Sequence, residues 1–414
     1  MSGRRLRSSR WVYVVAAVLT VGTAGIYQFS WPAIRGALGT QASASGTVLG
    51  TIFSVMIVAE TLTAFPAGWV RDRYGPHVPL LVAAPMLFCG FVGAAFDPTL
   101  PALFLWFALG GGGMGIVYDI AINTPSRWFV SRRGMATGAV STSFSVTSFL
   151  LIPFIKRSVD TDFSTTLFVL GVAAAATSLV AALVIRDPEE GSSPGDSSDD
   201  SSNGFADDSP IDSPTDSPSN GPDVTWRTMV RTRRFWLLYV VFAVANGVGL
   251  MLVEKVVVYA TELGFSAAAA TFAASLVALG QASGVIVVGT ASDRVGRVRS
   301  LGGSLVCCAA ALTAFVAVGG LDAQWAFVAL AGVSMFFRSP PFSILPGLVG
   351  EYYGEEYSSE NYAVMLTAKL WGGIYGGLGT SLLVAEIGWS PTFLLGAGLT
   401  FVAGIATLLL LRSD

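Results

Sequence analysis

Apolar residues do not alternate with polar ones along this chain. They gather into runs of about twenty, the length an α-helix needs to cross a bilayer core about 30 Å thick. Six such runs lie near residues 11–34, 46–69, 78–96, 101–125, 135–155 and 164–185, and six more near 235–260, 267–290, 300–319, 324–349, 362–385 and 390–411. The connections are short, apart from one tract, "DPEEGSSPGDSSDDSSNGFADDSPIDSPTDSPSNGPD", which carries eleven acids, no base and too little apolar content to fold. The pattern predicts an all-α membrane protein of twelve transmembrane helices in two pseudo-symmetric six-helix bundles. Residues 1–186 form the first, 187–233 a disordered acidic cytoplasmic linker, and 234–414 the second.

Composition agrees. The chain is 53% hydrophobic and 12% charged, with mean hydropathy +0.64, too little polar surface for a soluble exterior. The net charge of −3 belongs to the linker, since without its acids 24 bases face 16 acids and the balance is +8. Cys89, Cys307 and Cys308 lie in apolar runs and read as small hydrophobes, and the single histidine, His77, supports no metal or catalytic set. No nucleophile–base pair or nucleotide loop is present, so an enzyme, a cofactor, a metal or a nucleic-acid partner is not expected. The glycines 110–113 lie inside a run, where packing explains them. Four arginines precede the first run, which is long enough to be a retained span rather than a cleaved leader. With the N-terminus inside, eighteen of the bases fall in cytoplasmic segments and only Arg35, Lys156 and Arg157 in outer loops. The expectation is a plasma-membrane protein with both termini cytoplasmic, working as a monomer.

The halves repeat. "GWVRDRYGPHVPL" at 68–80 follows the second run and "GTASDRVGRVRSL" at 289–301 follows the eighth, an offset of 221 residues. Gly68 and Gly289 suit close helix packing, and Gly75 and Gly296 suit the turn. Asp72 and Asp293 suit hydrogen bonds from a neighbouring helix N-terminus. A duplicated six-span unit is the architecture of a rocking transporter.

The twice-found G-x-x-x-D-R-x-G loop resembles the signature loop of the major facilitator superfamily, in which it gates the cytoplasmic side. That resemblance assigns Asp72, Arg73, Asp293 and Arg294 to gating. "GIYQFSW" at 25–31, "GGGGMGIVYDIAINTPSRWFVSRRGMATG" at 110–138, "FWLLYVVFAVANGVGLM" at 235–251 and "LPGLVGEYYGEEYSSENYAVMLTAKLWGGIYGG" at 345–377 are similar to the oxalate/formate antiporter family, a branch close to the monocarboxylate transporters. The resemblance implies exchange or proton-coupled carriage of small carboxylates. The antiporter proper has an arginine in span eight beside a span-eleven lysine. Span eight here has no base and offers Gln281, which favours a monocarboxylate.

Six ionisable residues fall inside spans: Glu60, Asp119, Glu254, Lys255, Arg338 and Lys369. At about 1.5 Å of rise per residue, Glu60, Asp119, Arg338 and Lys369 fall in one layer slightly inward of the midplane. Glu254 and Lys255 fall near the outer end of span seven, where a lysine snorkels to the interface. Lys369 has two readings, countercharge for a substrate carboxylate or permanent partner of Glu60, and one that joins them, Glu60 when empty and substrate when loaded. Arg338 either assists the substrate or bonds carbonyls freed by Pro340 and Pro341. Asp119 is a proton-coupling carboxylate or a partner of Arg338. Tyr27, Trp31, Tyr118, Trp371 and Tyr375 are candidates to ring a cavity. Tyr27, Gln28 and Tyr118 gain weight because the resemblance puts them on cavity-lining spans. The expected function is secondary active transport of small organic anions by alternating access, by exchange or with protons. The rivals are export of a drug-like or sugar-like solute and a sensor without transport.

Overall fold

The computed structural model describes residues 10–124, 128, 133–186, 223–354 and 356–410. Among these, the regular structure is helical, and eleven helices are long and apolar enough to cross a membrane. The first span is Arg10–Phe29, continued past a break at Ser30 by Trp31–Ala42, with Pro32 in its first turn. It therefore runs beyond its expected end. Spans two to six are Gly46–Tyr74, His77–Phe96, Leu100–Ile122, Arg133–Thr161 and Phe163–Val184. Spans seven to nine are Arg233–Glu262, Ala267–Val295 and Arg297–Gly319. The tenth breaks at Ser339–Pro340 into Gln324–Arg338 and Pro341–Tyr353, and the twelfth is Trp389–Leu410.

Packing repeats with the sequence. In the first half the second span packs on the fourth, the third on the fourth and sixth, and the first on the fifth. In the second half the eighth packs on the tenth, the ninth on the tenth and twelfth, and the seventh on the eleventh. Each contact has its counterpart six spans later, which is the two-bundle pseudo-symmetry the duplicated motif implies. The motif turns repeat as well: Gly75 has φ +77° and Gly296 φ +99°, a region open to glycine at little cost. A methyl at Gly289 would meet Ser343 Cβ at 2.9 Å, and one at Gly68 would meet Asp119 Oδ2 at 3.3 Å, so the tenth and fourth spans press on these two positions.

The first and tenth spans each break once, and the eleventh breaks further. It comes in four pieces, Ser358–Leu366, Ala368–Ile374, a π-turn at Tyr375–Gly379, and Thr380–Ile387. The cause lies in the second span. Ser54 Oγ donates to the Gly373 carbonyl at 2.8 Å and accepts from the Leu378 N–H at 2.8 Å. A foreign hydroxyl thus sits between a carbonyl and the N–H five residues on, the kind of insertion that opens an α-helical ladder. Glycines at 372, 373, 376, 377 and 379 offer little side-chain packing to oppose it.

Of the segment expected as linker, 187–222 lie outside the described residues, as do Arg4, Arg5, Arg7, Arg127, Arg132 and Arg412. From Asp223 the chain is docked: the Val224 N–H donates to Tyr353 O at 3.0 Å, Asn361 Nδ2 donates to Val224 O at 2.9 Å, and Met229 is fully buried. The expected disorder therefore does not extend to residue 233.

Candidate functional site

The second and eleventh spans run antiparallel where the halves meet, and their contacts form a ladder. Gly50 faces Gly377 and Ser381, Ser54 enters the π-turn, and Ile57 lies against Gly373. The innermost rung is an ion pair: Lys369 Nζ lies 2.5 Å from Glu60 Oε1. Small residues allow that approach, since a methyl at Gly373 would meet Ile57 Cβ at 2.8 Å. Glu60 is itself fixed from behind, where the glycine-rich fourth span brings Gly111 against the Met56 backbone and Gly115 against the Glu60 backbone. The glycine run is packing, as expected from its place in a span.

Around Lys369 the described residues supply two further contacts, and a second ring stands behind them. Gln28 Oε1 accepts from Nζ at 3.4 Å. The ammonium stands 5.9 Å from the centre of the Phe144 ring, within cation–π range. Tyr118 meets that ring edge-on at 5.1 Å. The lysine side chain keeps 16% of its exposure and the glutamate 6%, so the lysine is the accessible member. Glu60 Oε2 is buried without a hydrogen-bond partner among the described residues. The site thus offers one partly open cation, one carboxylate with a vacant acceptor, an amide and two aromatic faces. Phe144 escaped the sequence reading. Its only signal was its place in a serine-rich stretch of the fifth span, "STSFSVTS".

Arg338 sits elsewhere in the second half, 3% exposed. Its Nε donates to Ala245 O at 2.5 Å, Nη1 to Gln281 Oε1 at 2.9 Å and Nη2 to Asn246 Oδ1 at 3.2 Å. It does not bond the carbonyls beside Pro340 and Pro341; it crosses to the seventh and eighth spans. Gly249 makes room for it, since a Cβ there would collide with the guanidinium. No carboxylate among the described residues lies within 4.0 Å of it, so its charge rests on neutral acceptors and the face of Phe342 at 5.2 Å. An arginine from span ten thus meets span eight at Gln281, where the chain has no base of its own.

Asp119 does not join the Lys369 layer. It lies beside Gly68 and receives Asn123 Nδ2 at 3.5 Å, next to the Ile120 carbonyl that takes Arg71 Nη1 at 2.6 Å. That is the motif end of the second–fourth seam, because Gly115, one turn earlier, is already level with Glu60. It pairs with no arginine at 338.

The expected aromatic ring does not form. Tyr27 is buried, stacks on Phe91 and gives its hydroxyl to the Leu87 carbonyl. Trp31 is packed between Phe53 and Phe107, and Tyr375 lies against Gly247. Trp371 is 58% exposed and makes no ring contact with the other four. Only Tyr118 stands at the site.

Two outer-end expectations are also overturned. Lys255 does not snorkel: it is 2% exposed, Glu254 is fully buried, and Arg35, assigned to a loop, is 6% exposed within Trp31–Ala42. These three residues find one another across the interface, and burial with a partner replaced exposure to water. At the motif end, Asp72, Arg73, Asp293 and Arg294 are exposed, Arg73 lying over Trp69 at 5.8 Å. Asp293 makes no hydrogen bond or ion pair among the described residues, so the helix-terminus contact expected of it is not made in this conformation.

Comparison with known proteins agrees with this geometry. The family model described as Major Facilitator Superfamily matches residues 13–259 and 249–414. The chain is 27% identical over 414 residues to the oxalate:formate antiporter of Oxalobacter formigenes, covering 98% of this chain and 93% of that protein. It is 23% identical over 375 residues to an uncharacterized MFS-type transporter, YhjX, of Escherichia coli, covering 88% and 86%. It is 25% identical over 361 residues to monocarboxylate transporter 11 of Homo sapiens, covering 84% and 71%. With its family model spanning nearly the whole length and its helices packed as two repeated bundles, this chain belongs to the major facilitator superfamily, a family of membrane transporters and not of enzymes.

Proposed function

We propose that this protein is a secondary transporter of small organic anions, chiefly monocarboxylates, working by alternating access, and that Lys369 exchanges Glu60 for the substrate carboxylate. The observation that carries the reading is the 2.5 Å Lys369–Glu60 pair at the innermost rung between the halves, on the span that a π-turn divides into four pieces. A charge inside a membrane span is functional by default and must be paired. Discontinuous helices mark binding sites in transporters. The likeness to an oxalate:formate antiporter and a monocarboxylate transporter supports a carboxylate cargo.

Charge accounting gives the coupling. An empty site holds Lys369 against Glu60 and is neutral. When a carboxylate takes the lysine, Glu60 becomes an unpaired anion in a site of low dielectric, and it takes up a proton rather than remain so. One proton then accompanies one monoanion, and the vacant Glu60 Oε2 is where it binds. A dicarboxylate would need a second accessible cation, and the fork of Arg338 is buried on neutral partners. Arg338 contributes long-range positive potential, while Tyr118 and Gln28 shape the cavity. Asp119, in contact with the first motif copy at Gly68, links protonation to the gating loop Asp72–Arg73, and Asp293–Arg294 form the matching gate loop of the second half. The distribution of bases supports a cytoplasmic position for the motif loops, both termini and the linker, and the reading takes the membrane to be the plasma membrane.

The test is net uptake into unloaded liposomes carrying the purified full chain, run with labelled monocarboxylates, dicarboxylates and neutral solutes outside and a pH dye inside. Uptake of a monoanion with internal acidification is the expected result. Carriage of neutral solutes and of no carboxylate would overturn the reading.

A further inference from the structure

Away from Lys369, at the other end of the same interface, four buried polar side chains close the halves. Arg35 donates Nε to Glu254 Oε1 at 2.7 Å and Nη2 to the Gly46 carbonyl at 3.3 Å. Lys255 Nζ lies 2.7 Å from Glu254 Oε2 and donates to Ser381 Oγ at 2.6 Å. The Ser381 hydroxyl is 2.8 Å from the Gly377 carbonyl on its own span and 3.3 Å from the Gly46 carbonyl across the interface. Arg35 and Gly46 belong to the first half; Glu254, Lys255 and Ser381 belong to the second. None of the four side chains is more than 6% exposed as a residue.

We propose that Arg35, Glu254, Lys255 and Ser381 form the latch of the gate on the side opposite the motif loops, a charge-sharing contact that breaks whenever the site opens to that side. The inference rests on the alternating-access reading above. Each cation binds two acceptors. Lys255 orders the two groups that reach across, and Arg35 receives one of them while bracing Gly46. If the halves part here, the Arg35–Glu254 bond must break, because its ends ride on different bundles. A buried ion pair suits that duty. Its Coulomb gain is largely offset by desolvation, and on opening water repays the separated charges, so the two states stay close in free energy. An apolar seal of the same size would hold the gate shut.

The charge count makes the latch testable, because two cations share one carboxylate. Glu254→Gln leaves Arg35 and Lys255 buried together with no counter-charge, whereas Arg35→Gln leaves a neutral Lys255–Glu254 pair. The assay is spin-label distance measurement on the full chain in lipid vesicles, with Cys89, Cys307 and Cys308 replaced by alanine. One label pair reports the latch end, at exposed Gln41 and Glu262, and the other the motif end, at exposed Tyr74 and Val295. Glu254→Gln should move the latch-end distribution to longer distances and the motif-end distribution to shorter ones, and Arg35→Gln should do the same to a smaller extent. A folded Glu254→Gln protein with unchanged distances would overturn the proposal. If that variant does not fold, unchanged distances in Arg35→Gln would do so. A merely structural cluster would lower stability in both variants without the reciprocal shift. Loss of carboxylate counterflow in the unaltered protein would sink the transport reading alone and leave these distances to judge the latch.

Discussion

The pair Lys369–Glu60 can be taken apart one charge at a time. Changing Lys369 to Gln leaves Glu60, 5% exposed, as a carboxylate with no cation. Breaking a buried pair from one side costs about 3–5 kcal/mol, since the remaining charge stays desolvated. The lysine side chain is 16% exposed, so water reaches the vacated position, and the unpaired Glu60 can take up a proton; both bring the cost to the low end, about 3 kcal/mol. Glu60→Gln should cost somewhat less, because the freed ammonium is the more accessible partner and retains Gln28 and Phe144. The double change removes both charges, and its loss should be well below the sum of the single losses, with a coupling of about 2 kcal/mol, inside the range for contacting residues. Thermal stability of the four proteins in detergent reads that coupling. Counterflow reads the second half of the argument: if Lys369 also receives substrate, the double variant is folded, recovered in stability and inactive. Robust carboxylate counterflow by Glu60→Gln/Lys369→Gln would refute the substrate role and leave the lysine a structural partner only.

Ser54→Ala should let the eleventh span close toward a regular helix, because the hydroxyl between Gly373 and Leu378 is gone; slowed counterflow and a changed cross-linking pattern at the Lys369 rung would report it, and wild-type behaviour in both would refute the wedge role. Asp72→Asn and Asp293→Asn should alter transport rate and motif-end accessibility while substrate affinity changes by less than about threefold; lost binding in a folded variant would move these residues from the gate to the site. Replacing 192–220 with a flexible linker of similar length should leave expression and counterflow near wild type, whereas loss of folded protein would reveal contacts made by the acidic tract. Arg338→Lys should fail to restore what Arg338→Ala loses, since a point charge cannot hold Ala245, Gln281 and Asn246 together, and equal stability of the lysine variant and the parent would refute that bridging role.

Sequence alone determined the membrane class, the span count and the duplication, because hydrophobic run length and a motif repeated at a fixed offset are local properties that bilayer physics reads directly. It also picked out Lys369, as a cation too expensive to leave without a purpose, and Glu60 as a partner on an adjoining span. Pairings that depend on which faces meet belonged to the tertiary structure. Depth along a span put Asp119 near the level of Lys369, but the contacts of the glycine seam placed it beside Gly68 of the motif. Nearness to a span end made Lys255 look solvated, yet packing of the halves over it, with Arg35 swung inward past the Ser30 break, turned an interfacial lysine into a buried one. The discontinuity of span eleven was least legible. Its glycines permit a π-turn, but a serine more than three hundred residues earlier in the chain produces it, and only the folded interface brings that hydroxyl to the ladder.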